Sequence, residues 1–167
     1  MSDEALAKSS AEVKSDYNKF DETHKISTTC NYINSKSGRI CFNLSQILRK
    51  DSIGHYLIIS RTSDVPKINT SAGSSVWIKV DGSTPFKLKT ATPGKDYVTS
   101  HINVSSMGCY TTRIYDEYVV FLLPFTLIEK IAFAKTVDIE IEGISNSSIE
   151  TSFNKKNFEV FKEFYNK

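Results

Sequence analysis

The stretch Asp116–Gly143, DEYVVFLLPFTLIEKIAFAKTVDIEIEG, decides the fold. It holds the most apolar run of the chain, so it is either a membrane span or the centre of a folded core. The uncharged part, Tyr118–Ile128, is eleven residues long, is broken by Pro124 and closes at Glu129 and Lys130. A helix that crosses a bilayer needs about 20 apolar residues, so the run is core and resolves into three elements. Tyr118–Leu123 is apolar throughout, which predicts a strand buried on both faces. Pro124 ends it, because proline has no N–H for a ladder. Thr126-Leu-Ile-Glu129 reads as a capping box that starts a helix running to about Ala134, with Leu127, Ile128, Ile131 and Ala134 on one side. Val137–Glu142 then alternates, with Val137, Ile139 and Ile141 toward a core and Asp138, Glu140 and Glu142 toward water.

Upstream, residues 2–20 are polar and helix-prone, with Leu6, Val13, Tyr17 and Phe20 able to share a thin stripe. This predicts a polar N-terminal helix or tether over residues 1–22, followed by a single domain over 23–167. KISTTCNYI and GRICFNL flank Asn34–Ser37 as a hairpin, Ser45–Lys50 reads as one helical turn, and His55–Ser60 as a strand. Asp64–Ser75 reads as a loop. SVWIKVDGSTPFKLK (75–89) is a second hairpin around Asp81-Gly82. A two-residue loop there would set Val76 against Lys87, so the apolar face demands an odd loop length or a bulge. Ile102–Val104, Cys109–Ile114 and Ile149–Phe153 are further strands. Asn154 caps a terminal helix stapled by Phe153 and Phe158 and docked by Phe158, Phe161, Phe164 and Tyr165. About eight strands, mostly in hairpins, and two helices near the end predict an α+β fold with a mainly antiparallel sheet and a strand-helix-strand-strand-helix C-terminal half.

The 167 residues suit one domain, with 40% hydrophobic and 11% aromatic residues, outside the disordered range. Net charge is +2, divided as −3 over residues 1–24, +8 over 25–113 and −3 over 114–167. Either the acidic ends neutralise the middle in three dimensions, or the middle is a basic surface for an anionic partner.

Several chemistries lack their residues. His24, His55 and His101 have no ligand spacing, no Cys-x-x-Cys occurs, and nucleophile elbow, Walker loop and dinucleotide fingerprint are missing, so no catalytic residue, metal ligand or cofactor is assigned. No sequence-specific nucleic-acid motif is present. Sequons at Asn43, Asn69, Asn103 and Asn146 are near chance frequency. If the first hairpin is symmetric about Ser35 and Lys36, Cys30 and Cys41 lie opposite each other, within disulfide range at about 4.5 Å between Cα atoms. The alternative is two buried thiols, and Cys109 is left over as a buried third. The candidate binding surface is the outer face of the second hairpin. There Trp77 and Lys79 share a side with Lys87 and Lys89, and stacking with charge could take an anionic or sugar-like ligand. The competing reading is an ordinary sheet face on which lysines block edge aggregation.

Two blocks carry a resemblance. DYNKFDETHKIS (16–27) resembles the start of many small bacterial secreted or lipoprotein domains, just after their export signal. Cys109, EYVVFLLP (117–124), Ile131-Ala132 and VDIEIEG (137–143) resemble their C-terminal half. The resemblance implies a place in the cell envelope or periplasm and no active site. No export signal is visible after Met1, so Met1 would stand where a lipidated cysteine begins such a protein, with SDEALAKSSAEVKS as tether. The expectation is a non-enzymatic binding or structural domain of the bacterial envelope, without a transmembrane span, with a possible lipid anchor, and with another envelope protein or an anionic ligand as partner. The competing expectations are a cytoplasmic partner-binding protein of the immunity or effector type, and a small enzyme whose site assembles from separated residues.

Overall fold

The computed structural model describes residues 11–36, 38–90 and 94–167. Among these residues it is mainly antiparallel sheet with two α-helices. The strands are β1 (Val13–Asn18), β2 (Thr23–Thr28), β3 (Asn31–Ser35), β4 (Gly38–Arg49), β5 (Ser52–Ser63), β6 (Ser75–Val80), β7 (Phe86–Lys89), β8 (Lys95–Ser105), β9 (Gly108–Leu122), β10 (Val137–Glu142) and β11 (Ser148–Ser152). Helix α1 spans Phe125–Ala132 and α2 spans Lys155–Tyr165, so the C-terminal half runs strand, helix, strand, strand, helix. A seven-stranded sheet has the order β1-β2-β4-β5-β9-β8, with β3 also on β4, and a four-stranded sheet has the order β11-β10-β6-β7.

One apolar core joins both sheets and both helices. Ile40, Phe42, Leu57, Ile59, Val119 and Phe121 come from the large sheet, and Val76, Ile78, Ile139 and Ile141 from the small one. Leu127, Ile128 and Ile131 of α1 and Phe161 and Phe164 of α2 complete it. Such burial is the main favourable term in folding.

Several expectations are corrected. Residues 13–18 are strand β1 and not helix, paired with β2 from Val13↔Thr28 to Asn18↔Thr23. The hairpin therefore crosses the expected boundary at residue 22, while residues 1–10 of the expected tether lie outside the described residues. Ser45–Arg49 is no helical turn but the end of a twelve-residue strand, held on both sides by β2 and β5. Cys109–Ile114 and Tyr118–Leu122 are one fifteen-residue strand, and Leu122 is 66% exposed, so that run is not buried on both faces. Helix α1 has no side-chain cap. Pro124 is its N-cap, and the Glu129 carboxylate instead accepts from the Tyr165 hydroxyl of α2 at 2.9 Å.

Other local readings agree with the structure. Val137–Glu142 alternates as expected. Ile78 pairs with Phe86 and Val76 with Leu88 across a seven-residue connection, the odd length that the apolar face demands. Asp81 and Gly82 take φ of 48° and 71° at its tip, the left-handed region that Gly and Asp tolerate best. Asn154 caps α2 in a reciprocal box with Asn157, and the Phe153 and Phe158 rings stand 5.5 Å apart. Asn157 is buried, and its amide also donates to Asn31 Oδ1 at 2.6 Å and Tyr32 O at 3.1 Å, tying α2 to β3.

Candidate functional site

The outer face of the small sheet is built by alternation. With Val76, Ile78 and Val80 inside, Trp77 and Lys79 of β6 must face out, as must Asp138, Glu140 and Glu142 of β10. Register then aligns them. One row runs Glu150–Glu140–Trp77–Lys87 across all four strands, and a second runs Ser152–Asp138–Lys79. The acids thus occupy β10 and β11, the lysines β6 and β7, and Trp77 stands at the boundary. Over that boundary lies an open groove of about 640 Å³, lined among others by Lys36, Trp77, Lys79, Asp138, Glu140 and Glu150.

The four residues singled out in the sequence are placed unequally. Trp77 is half-buried and, with Lys79, lines the groove. The Lys87 ammonium lies 4.8 Å from the Trp77 ring centroid, a cation–π contact. Lys89 pairs with Ser75, one row further on, and neither Lys87 nor Lys89 lines the groove. The carboxylates of β10 and β11 were not assigned to this site from the sequence. Both acidic and basic stripes alternate on short strands of four to six residues, but nothing local says that β6 lies beside β10. Glu142, on the same strand, is committed elsewhere: it accepts from Asn69 Nδ2 at 2.7 Å and from the Ser75 amide at 2.9 Å. At the far end of the hairpin, Asp81 accepts from the Lys135 and Thr136 amides at 2.7 and 2.8 Å. Those backbone bonds, with the Lys135 charge, hold its carboxyl below the ordinary aspartate range.

On this face the C-terminal acids Asp138 and Glu140 stand in register with Lys79 and Trp77 of the central segment. No protein-family model, curated protein or solved structure matches this chain.

Cys30 and Cys41 form a disulfide with Cα atoms 5.3 Å apart. They are not opposed as expected, because the hairpin closes at Ser35↔Gly38 and sets Tyr32 against Cys41. Cys30 lies in the break between β2 and β3, the two strands that share one edge of β4. Cys109 is exposed, not buried. Among the described residues no group of three or more His, Cys, Asp or Glu could hold a metal ion. His24 bonds Ser15 at 2.6 Å, and His55 bonds Gln46 at 3.0 Å. Burial of His55 lowers its pKa. No helix among the described residues is long and apolar enough to cross a membrane.

Proposed function

We propose that this chain is a non-enzymatic binding domain of the bacterial cell envelope that holds a polyhydroxylated, saccharide-like ligand in the groove over Trp77. The observation that carries this reading is the position of Trp77 on the seam between lysines and carboxylates, lining a groove of about 640 Å³. That volume lies within the range of small-molecule sites, about 300–1,000 Å³. An indole offers an apolar platform to the C–H face of a sugar. Carboxylates accept from hydroxyl groups, lysines donate to them, and Ser148 and Ser152 at the groove wall do both. A polyanion suits the lysine half and is repelled by Asp138, Glu140 and Glu150. An oxidising compartment is supported by the Cys30–Cys41 disulfide, since such bonds persist outside the cytosol.

Trp77 is the sole tryptophan of the chain, so its emission reports directly on the groove. Neutral mono- and oligosaccharides are titrated while Trp77 fluorescence is followed, with a sulfated oligosaccharide as the anionic comparison. The expected result is a saturable change with a neutral saccharide that is retained at 0.5 M salt. Lys87 covers the ring without lining the groove, and Lys79 stays as its donor, so Lys87→Met should leave that affinity unchanged or tighter, and calorimetry on Trp77→Ala should show no binding. Binding of the sulfated ligand alone, weakened at least tenfold by Lys87→Met and lost in salt, would overturn the saccharide assignment.

A further inference from the structure

Sheets manage their free edges by shortness, charge, proline or cover, because an open edge is a template for another strand. The edges of this molecule differ sharply in that respect. β1 carries Lys14 and Asp16. β7 has four residues, two of them lysine, and β11 has five, with Glu150 at its centre. β3 has five and is covered in part, as Thr151 of β11 donates to Asn34 O at 2.9 Å. β8 is eleven residues long, and from Tyr97 to Ser105 it contains no Asp, Glu, Lys, Arg or Pro.

The β8–β9 hairpin also projects. β5 supports β9 only from Tyr115 to Leu122, so β9 before Tyr115 is paired to β8 alone. The hairpin closes at Ser105↔Gly108. Residues 105 and 108 exchange hydrogen bonds in such a tight hairpin, and the pairs then alternate. Val98, Ser100, Ile102 and Val104 therefore turn their N–H and C=O groups away from β9. Their side chains share one face, where Ile102 is 75% and Val104 77% exposed, and Met107 at the tip is 97% exposed. Gly94, with the same parity, has its outward N–H bonded to Thr70 O at 2.6 Å. The edge is thus closed at its start, and from Val98 to Val104 no backbone hydrogen bond to a further element is seen among the described residues.

We propose that the free edge of β8 pairs antiparallel with β8 of a second copy of this chain. A two-fold axis at residue 101 sets Val98 against Val104 and Ser100 against Ile102 in both directions. Every outward-turned backbone group from 98 to 104 is then matched. No charge of either sign lies in the paired stretch, so an uncharged edge meets an uncharged edge without like-charge repulsion. The two sheets become continuous through the pair, and the interface is isologous and closed. It is small by the standard of obligate dimers, so monomer and dimer exchange at micromolar concentrations.

Sedimentation equilibrium from 1 to 300 µM tests this, together with the separation of nitroxide labels on Cys109, the one free cysteine. The expected result is a concentration-dependent dimer. Strand geometry places the two Cys109 Cα atoms about 25 Å apart, three strand spacings across and six residues along. Ile102→Pro removes an outward N–H and no bond to β9, and Ser100→Lys places a charge on the edge. Both should be monomers with the circular dichroism and thermal transition of the parent. A monomer at 300 µM, a dimer that persists in both variants, or a label separation outside roughly 20–35 Å would overturn the proposal.

Discussion

Replacing Glu117 by Gln removes one charge from a pair that the fold has taken out of water. The Glu117 side chain is fully buried and that of Arg61 is 7% exposed, with Nη1 and Oε2 3.3 Å apart. The two carboxylate oxygens have separate tasks. Oε1 accepts from the Lys67 and Ile68 amides at 2.8 and 2.9 Å, fixing the loop that delivers Ile68 to the core, while Oε2 faces the guanidinium. Gln keeps an acceptor for the loop but turns an NH2 donor onto a donor. Removing one partner of a buried pair costs about 3–5 kcal/mol, because the other charge stays behind. Arg61 Nη1 retains Val65 O at 2.8 Å and Ser63, which puts the loss near the lower bound, about 3 kcal/mol. Total stabilities of about 5–15 kcal/mol leave the fold intact. Equilibrium urea unfolding of the parent, Glu117→Gln, Arg61→Met and the double variant measures it. The double variant removes both charges and should recover most of the loss, giving a favourable coupling of about 2 kcal/mol. A Glu117→Gln loss below about 1 kcal/mol, or losses that simply add, would refute the reasoning.

Two further outcomes follow from the same physics. Cys30 and Cys41 are separated by 11 residues, and loop-closure entropy assigns such a crosslink about 2.5–3 kcal/mol, so reduction should lower the free energy of urea unfolding by that amount without abolishing the fold. Asp81 has a carboxyl pKa lowered by two backbone donors; its contribution is complete above the ordinary aspartate value and is lost as pH falls through the lower folded one. Carboxyl-carbon NMR should show Asp81 titrating below the unfolded chain, and Asp81→Asn should flatten the acid limb of stability, whereas an ordinary Asp81 titration would discard that account.

Legibility of the fold tracks the range over which each signal acts. Alternation in Val137–Glu142 and the parity of the β6–β7 hairpin are local, and both are readable without a partner strand. Asn154 and Asn157 satisfy each other within one turn, so that cap is visible too. Thr126 and Glu129 have the same spacing, yet Pro124 takes the N-cap and Glu129 turns to Tyr165, a residue 36 positions later. Ser45–Arg49 reads as a helical turn because its strand character comes from β2 and β5 on either side. The candidate site was half legible for the same reason. Trp77 and its lysines lie on one hairpin, whereas the carboxylates opposite come from β10, some sixty residues downstream, where pairing is decided by burial of the inner face.

That pairing also bears on the ligand proposed for the groove. Adjacent strands are about 4.8 Å apart, so the acidic and basic halves are centred about 10 Å from each other. The Debye length in physiological salt is about 8 Å. At larger distances the two fields cancel or are screened, and a polyanion approaching from solution gains little steering from Lys79 and Lys87. A molecule lying across Trp77 is close enough to meet both signs at once, and it must present acceptors to one half and donors to the other. Hydroxyl groups do both from the same atom, whereas phosphate and sulfate serve only the lysines. On the proposed reading, the seam at Trp77 would favour a neutral polyol, and it is set by the same register that buries Val76, Ile78, Ile139 and Ile141 beneath it.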